Sequence, residues 1–198
     1  MSEYLSLNNF NNSFTVFGPY FVINSTIYLC FSVNFNKSVG GFFASYIFST
    51  MMDGRKLYKL NLKFDKILLD APCSGTGAIR KSYKTLKIWN EDTINRLANL
   101  QKKLLLTAFD LLKDNGILVY STCSVEPLEN EFVIDYLLSK RENAKIEKIE
   151  IPNLKKSEII SEYNGYKLEH EEEIKNTIRL WPWDNDTEGF YIAKIRKT

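Results

Sequence analysis

Two apolar runs that each stop at a reactive side chain constrain this sequence more than anything else in it. The first, Phe64 to Gly77 (FDKILLDAPCSGTG), runs through Leu69 into Asp70 and a Pro-Cys turn. The second, ILVYST from Ile117 to Thr122, ends at Cys123, in YSTCSVEP. Short, nearly continuous apolar runs of this kind predict strands buried on both faces, the habit of parallel strands in an α/β sheet. In such sheets the chemistry lies beyond the carboxyl ends of the strands, and that is where Asp70, Cys73 and Cys123 fall.

Between the two runs, Leu97, Leu100, Leu104, Ala108, Leu111 and Leu112 recur at spacings of three and four, which predicts an amphipathic helix. Asp92 is its expected N-cap, and Asn115 or Gly116 its left-handed C-terminal stop. A strand over Gly116 to Thr122, a helix over Glu129 to Leu138 and a strand over Ala144 to Ile151 follow. The charged stretch from Glu169 to Lys175 reads as a solvated loop. Thr177 to Trp181 and Gly189 to Arg196 read as a closing antiparallel pair across WPWDNDTEG. The expected fold class is α/β, a partial doubly wound, Rossmann-like sheet with a C-terminal antiparallel hairpin.

Residues 1–50 differ in kind. Between Glu3 and Lys37 no residue is charged, and the segment is rich in Phe, Asn, Ser and Tyr. Short pieces at Tyr20 to Ile23 and Thr26 to Val33 read as strands. Gly18-Pro19, Asn24 and Asn34 interrupt the uncharged stretch, so no membrane span or membrane association is expected, and no signal-peptide pattern is evident. The composition changes near Met51, dividing the chain into an atypical N-terminal segment (1–50) and the unit that carries the motifs (51–198).

The net charge of +2 permits an anionic partner without demanding one, so an argument for nucleic acid has to rest on local clusters. One such cluster is IRKSYKTLKIW, where Arg80, Lys81, Lys84 and Lys87 alternate with Tyr83 and Trp89. Its basic residues suit either an RNA backbone or a solvated loop face; its aromatics suit stacking or packing, and packing is favoured for Trp89. The three cysteines, Cys30, Cys73 and Cys123, and the single His170 lack metal-ligand spacing, so no metal is expected. Sparse thiols fit a reducing compartment, the cytoplasm.

A thiolate can add to carbon 6 of a pyrimidine, making carbon 5 nucleophilic enough to take an electrophilic methyl group. The reaction needs a nucleophile, a group that holds the ring's polar edge and a base that later removes the carbon-5 proton. Taken singly, each cysteine reads more readily as a small core residue than as a nucleophile, and Asp70 as a mere loop cap.

DAPCSGTG, IRKSYKTLKIW, LQKKLLLTAFDLLKDNGILVYSTCSVEPLENEFVIDYLL and TIRLWPWDNDTEGFYIAKIRK together resemble the catalytic half of the Nol/Nop/Sun family of RNA cytosine-5 methyltransferases, over roughly Asp53 to Lys197. The resemblance implies Cys123 as nucleophile, Cys73 as the residue that assists product release, and Asp70 as the group that orients the base and borders the cofactor. It implies Asp53 as a contact to the adenine end of S-adenosylmethionine, and Arg80, Lys81 and Lys84 along the path of a tRNA or rRNA substrate.

The sequence also departs from that family. Nothing in residues 1–50 matches its glycine-rich cofactor loop or the acid that would hold the ribose, and Trp183 stands where the family commonly has histidine. Sheet edges bared by such a loss are expected to seek a partner chain or self-association unless the N-terminal segment covers them. Two other readings stay open: a DNA cytosine-5 methyltransferase using Cys73, and a non-catalytic RNA-binding remnant.

Overall fold

The structure, a computed structural model, describes residues 21–24, 29–34, 45–50, 55, 58, 59, 61–81 and 83–198. Its centre is strand β4 (Phe64–Asp70), which pairs in parallel with β5 (Leu112–Thr122) from Lys66↔Ile117 to Asp70↔Ser121. Both strands therefore release their chains at the same edge of the sheet, and the two cysteines follow at that edge. The crossover between them is α2 (Glu91–Asp110), which turns its stripe of Ile94, Ala98, Leu105, Ala108 and Phe109 inward. It packs on β4 and β5, and on α3 (Glu131–Lys140).

The remaining strands widen this pair on both sides. Strand β10 (Phe190–Lys197) runs antiparallel to β5 and separates it from β6 (Ala144–Glu147), while β9 (Ile178–Leu180) pairs with the start of β10. On the other side β1 (Phe21–Asn24) lies parallel to β4, with Asn24 opposite Asp70, and continues antiparallel into β2 (Leu29–Asn34) and β3 (Ser45–Thr50). The edge of β4 that was expected to be bare is thus taken by the chain's own N-terminal segment. The short ladder β7 (Glu162–Tyr163) with β8 (Tyr166–Lys167) stands apart from the main sheet. Among the described residues no helix is long and apolar enough to cross a membrane.

The α/β class, the β4–α2–β5–α3–β6 order and the closing β9–β10 pair are as the sequence predicts. Several boundaries are not. Asn90, rather than Asp92, caps α2, its side chain accepting from the Thr93 N–H at 2.8 Å. The extended backbone of Asn90 sets its amide oxygen over the first turn, whereas Asp92 already lies inside the helix. The helix ends at Asp110, and β5 begins at Leu112 rather than Gly116. Asn115 does adopt a left-handed conformation (φ 61°), but it serves the turn at the start of β5 instead of a helix cap. Strand β6 stops at Glu147, four residues short of the expected end, and Glu171–Ile174 forms a short helix, α4, where a loop was expected. Strand β3 carried no clear signal in its sequence, SYIFST.

The core lies between the sheet and the α2–α3 layer. Ile67 and Leu69 of β4, Leu118 and Tyr120 of β5, and Tyr191, Ala193 and Ile195 of β10 alternate inward to meet Leu105, Phe109, Val133, Ile134 and Leu137. One ion pair is sealed at its margin. Arg179 donates to both carboxylate oxygens of Glu131, at 2.7 and 2.5 Å, and to the Val125 carbonyl at 2.8 Å, and both side chains are buried. Removing one partner of such a pair strands a charge in the interior. Arg179→Met is therefore expected to lower unfolding stability by about 3–5 kcal/mol, and adding Glu131→Leu to recover part of that loss, both read from urea denaturation midpoints.

Candidate active site

The site is assembled from the two loops that leave the parallel strands. After Asp70, the β4 exit runs Ala71-Pro72-Cys73-Ser74-Gly75 into a short 3-10 turn (Thr76–Ala78). After Thr122, the β5 exit runs Cys123-Ser124-Val125-Glu126 into a second such turn (Pro127–Glu129). Because β4 and β5 are adjacent and in register, the two loops face each other, and the Cys73 and Cys123 sulfurs come within 3.2 Å. Residues fifty positions apart in the sequence thus share a hydrogen bond.

That contact makes the thiols unequal. Donation from Cys73 holds the Cys123 thiol below its ordinary range, against the opposing effects of burial and of Asp70. The same hydrogen bond, reinforced by burial and by Glu129, pushes the Cys73 thiol well up. Cys123 is therefore the more acidic thiol of the pair. Asp70 sits at the end of β4, where burial raises its carboxyl while a 3.0 Å hydrogen bond from Ser121 Oγ partly offsets the rise.

Beneath the sulfurs lies a carboxylate that sequence reasoning missed. Glu129 is fully buried and accepts from the Ser74 N–H at 3.0 Å, Ser74 Oγ at 2.6 Å, Ser124 Oγ at 2.5 Å and Gln101 Nε2 at 3.2 Å. Ser74 and Ser124 are the residues that follow the two cysteines, so one carboxylate ties both loops together. Burial raises the Glu129 carboxyl, and the bonds from Ser124 and Ser74 work against that rise. Gln101, from the middle of α2, also donates to the Pro72 carbonyl at 2.6 Å, linking the helix to the Pro-Cys turn. Thr76 Oγ1 contacts Ser124 Oγ and accepts from the Val125 N–H, both at 3.1 Å. The signal that was available is the repeated Cys-Ser step in the two motifs.

Two glycines splice in the last strand. Gly77 donates to the Cys123 carbonyl and accepts from the Gly189 N–H, each at 3.0 Å. A Cβ on Gly77 would sit 2.1 Å from the Gly189 carbonyl oxygen, which leaves no room for any side chain. The basic cluster reaches across to the same segment: Arg80 pairs with Asp186 at 2.8 Å and Lys81 with Glu188 at 2.5 Å. Both cations remain more than half exposed despite these partners. Lys84 opens helix α1 (Lys84–Ile88). Trp89 does not pack as favoured: it is 46% exposed and donates to Glu126 Oε1 at 2.9 Å, because the chain turns extended there as α1 ends. Asp53 lies outside the described residues. Among the described residues no cluster of three or more His, Cys, Asp or Glu side chains is arranged to hold a metal ion.

Residues 41–196 match the family model described as 16S rRNA methyltransferase RsmB/F. The chain belongs to that family. It is 50% identical over 148 residues to a tRNA (cytosine(49)-C(5))-methyltransferase of Pyrococcus abyssi, a match covering 75% of this chain and 46% of the relative. It is 39% identical over 153 residues to a human 28S rRNA (cytosine(4447)-C(5))-methyltransferase, covering 73% of this chain and 18% of the relative. Among solved structures, a methyltransferase homolog protein from Pyrococcus horikoshii superposes with a TM-score of 0.61 at 41% identity, over 74% of this chain and 43% of the other. NSun6 from the same organism, solved with SFG, gives 0.60 at 34% identity over 75% and 34%. The chain thus spans less than half the length of each of these relatives.

The described residues do not complete a site for S-adenosylmethionine, the cofactor that the resemblance implies. Where the family has a strand, a glycine-rich loop and a helix, β1 here continues into the antiparallel strands β2 and β3, and no α-helix precedes α1 among the described residues. Among the described residues no α-helix ahead of α1 turns an N-terminus toward the strand ends beside Asp70, and Asp70 is the one implied cofactor contact that they contain.

The thiol asymmetry has a direct readout. Cys73→Ala removes the hydrogen bond that lowers Cys123, so the pH midpoint for alkylation of Cys123 by iodoacetamide should move upward, as followed by peptide mass spectrometry. Glu129→Gln replaces one acceptor oxygen with a donor that faces the Ser74 and Ser124 donors. It should uncouple the two loops and shift the same midpoint upward while Cys73 is intact.

Proposed function

We propose that this chain is the target-base half of an S-adenosylmethionine-dependent RNA cytosine-5 methyltransferase, acting on tRNA or rRNA through a covalent adduct on Cys123. The observation that carries this reading is the 3.2 Å contact between the Cys73 and Cys123 sulfurs at the carboxyl ends of adjacent parallel strands. A structural pair of buried cysteines has no need to differ in acidity or to sit beside a carboxyl at a strand end.

In the proposed reaction the Cys123 thiolate forms a bond to carbon 6 of cytosine, and the ring's carbon 5–carbon 6 π electrons shift toward carbon 5 and the N3 edge. Asp70, its carboxyl raised by burial, hydrogen-bonds that polar edge and steadies the added charge. Carbon 5 then takes an electrophile. Water then takes the original carbon-5 hydrogen as a proton, its bonding electrons re-form the carbon 5–carbon 6 double bond, and the sulfur–carbon bond breaks with its electrons left on Cys123, which restores the aromatic ring. Cys73 hydrogen-bonds the leaving sulfur and so steadies the Cys123 thiolate that release regenerates. Arg80, Lys81 and Lys84 follow the RNA backbone, the first two by exchanging their intramolecular carboxylates for phosphates. S-adenosylmethionine is the methyl donor of the whole enzyme, and residues beyond those described must complete its site. Reduced thiols in contact suit the cytoplasm.

Addition at carbon 6 can be followed without the cofactor, since protonation and reversal at carbon 5 exchange its hydrogen with water. RNA carrying 5-tritiated cytidine should release tritium on incubation with the chain, and Cys123→Ala should abolish the release. Cys73→Ala should still add but release poorly, leaving a protein–RNA adduct on denaturing gels. The reverse pattern, with exchange surviving Cys123→Ala and lost in Cys73→Ala, would establish the DNA-type use of Cys73 instead. Salt-sensitive RNA binding with no exchange would leave a non-catalytic RNA-binding remnant.

A further inference from the structure

We infer that Trp183 is a stacking platform for an unpaired nucleobase that neighbours the target cytosine in the RNA. The inference rests on the proposed action on RNA and adds to it a contact with a base rather than with the backbone.

Trp183 is 72% exposed, unusual for the largest apolar side chain. It is also held flat, stacked on Trp181 with ring centroids 5.0 Å apart and planes 7° from parallel. Trp181 in turn has the Arg179 guanidinium 5.2 Å from its ring centroid, and Arg179 is fixed by the buried Glu131 pair and the Val125 carbonyl. A column of planar groups therefore rises from the interior to the surface and ends on an open indole. Stacking occupies one face of Trp183 and leaves the other to solvent.

The loop that carries it is clamped on both sides. Asn185 exchanges two hydrogen bonds with the backbone of Lys155, at 2.9 and 2.8 Å, and Asp184 accepts from Ser157 Oγ at 2.5 Å. The loop's far end is Gly189, bonded to Gly77, which itself bonds to the Cys123 carbonyl. Arg80 reaches the Pro182 and Thr187 carbonyls at 3.5 and 3.4 Å. The loop that carries the platform is thus joined at its far end, through Gly189 and Gly77, to the Cys123 loop.

Charge beside the platform is balanced by the pair of Asp184 with Lys155. A balanced, planar surface favours the π-face of a base over a phosphate. The chemistry calls for such a surface, because carbon 6 of a stacked cytosine is out of reach of a thiolate. The target must leave its stack, and the neighbouring base then loses its partner. An indole in a fixed plane restores that partner.

The test is a titration of the full chain with a short cytosine-containing single-stranded RNA, followed by tryptophan fluorescence and by filter binding at several salt concentrations. Trp183→Ala should weaken binding about tenfold without changing the slope of log affinity against log salt, because no phosphate contact is lost. Trp183→Phe should retain most of the affinity while losing most of the fluorescence quench. An oligonucleotide abasic at the positions flanking the target should bind the wild-type chain and Trp183→Ala equally. Wild-type affinity and quench in Trp183→Ala, with tritium release through Cys123 intact, would overturn the platform and leave the proposed function standing. Failure of the wild-type chain both to bind RNA and to release tritium would overturn both.

Discussion

A single buried carboxylate holds the site in shape. Glu129 gathers donors from the loop after β4, from the loop after β5 and from the middle of α2, and each of the three would otherwise bury an unsatisfied polar group. Parallel pairing of β4 and β5 brings the loops to the same edge, but pairing alone does not set two sulfurs at hydrogen-bond distance. The shared carboxylate converts adjacency into a fixed separation, and the fixed separation makes one thiol acidic at the expense of the other. Sheet topology, packing and reactivity are joined at this one residue.

The contact between the sulfurs makes Cys123 the more acidic thiol on physical grounds that do not depend on kinship, and the proposed function gives it the nucleophile's part for that reason. Cys73 donates, Cys123 accepts, and the carboxylate below lies nearer in effect to Cys73, whose ionisation it opposes. The relatives at 50% and 39% identity are RNA cytosine-C(5)-methyltransferases, and they span more chain than is present here. What this chain contributes is the part that carries both cysteine loops.

The reach of the sequence follows a physical line. Elements whose burial is periodic were legible: β4, α2, β5 and the β9–β10 pair all advertise a face. So were Asp70, Cys73 and Cys123, because reactive side chains at the ends of apolar runs are few. Glu129 was not legible, since it sits among the polar residues of PLENEF and is buried by partners fifty-five and twenty-eight positions away. Asn90 lost to Asp92 as the expected cap because either residue type satisfies the rule, and only backbone conformation decides between them. The pairing of Arg80 and Lys81 with acids of the WPWDNDTEG loop was equally hidden, being a product of the Gly77–Gly189 splice.

That splice, with the place of β10 in the sheet, orders events in time. Strand β10, made after all the other described strands, lies between β5 and β6, and the residue just before it closes against the loop that carries Cys73. Until those residues emerge, β6 has no neighbour in the sheet and the thiol loops lack their third wall. Contacts this distant along the chain form late and slowly. Folding of this sheet therefore closes with β10, which adds a third wall to thiol loops that β4, β5 and Glu129 have already brought together.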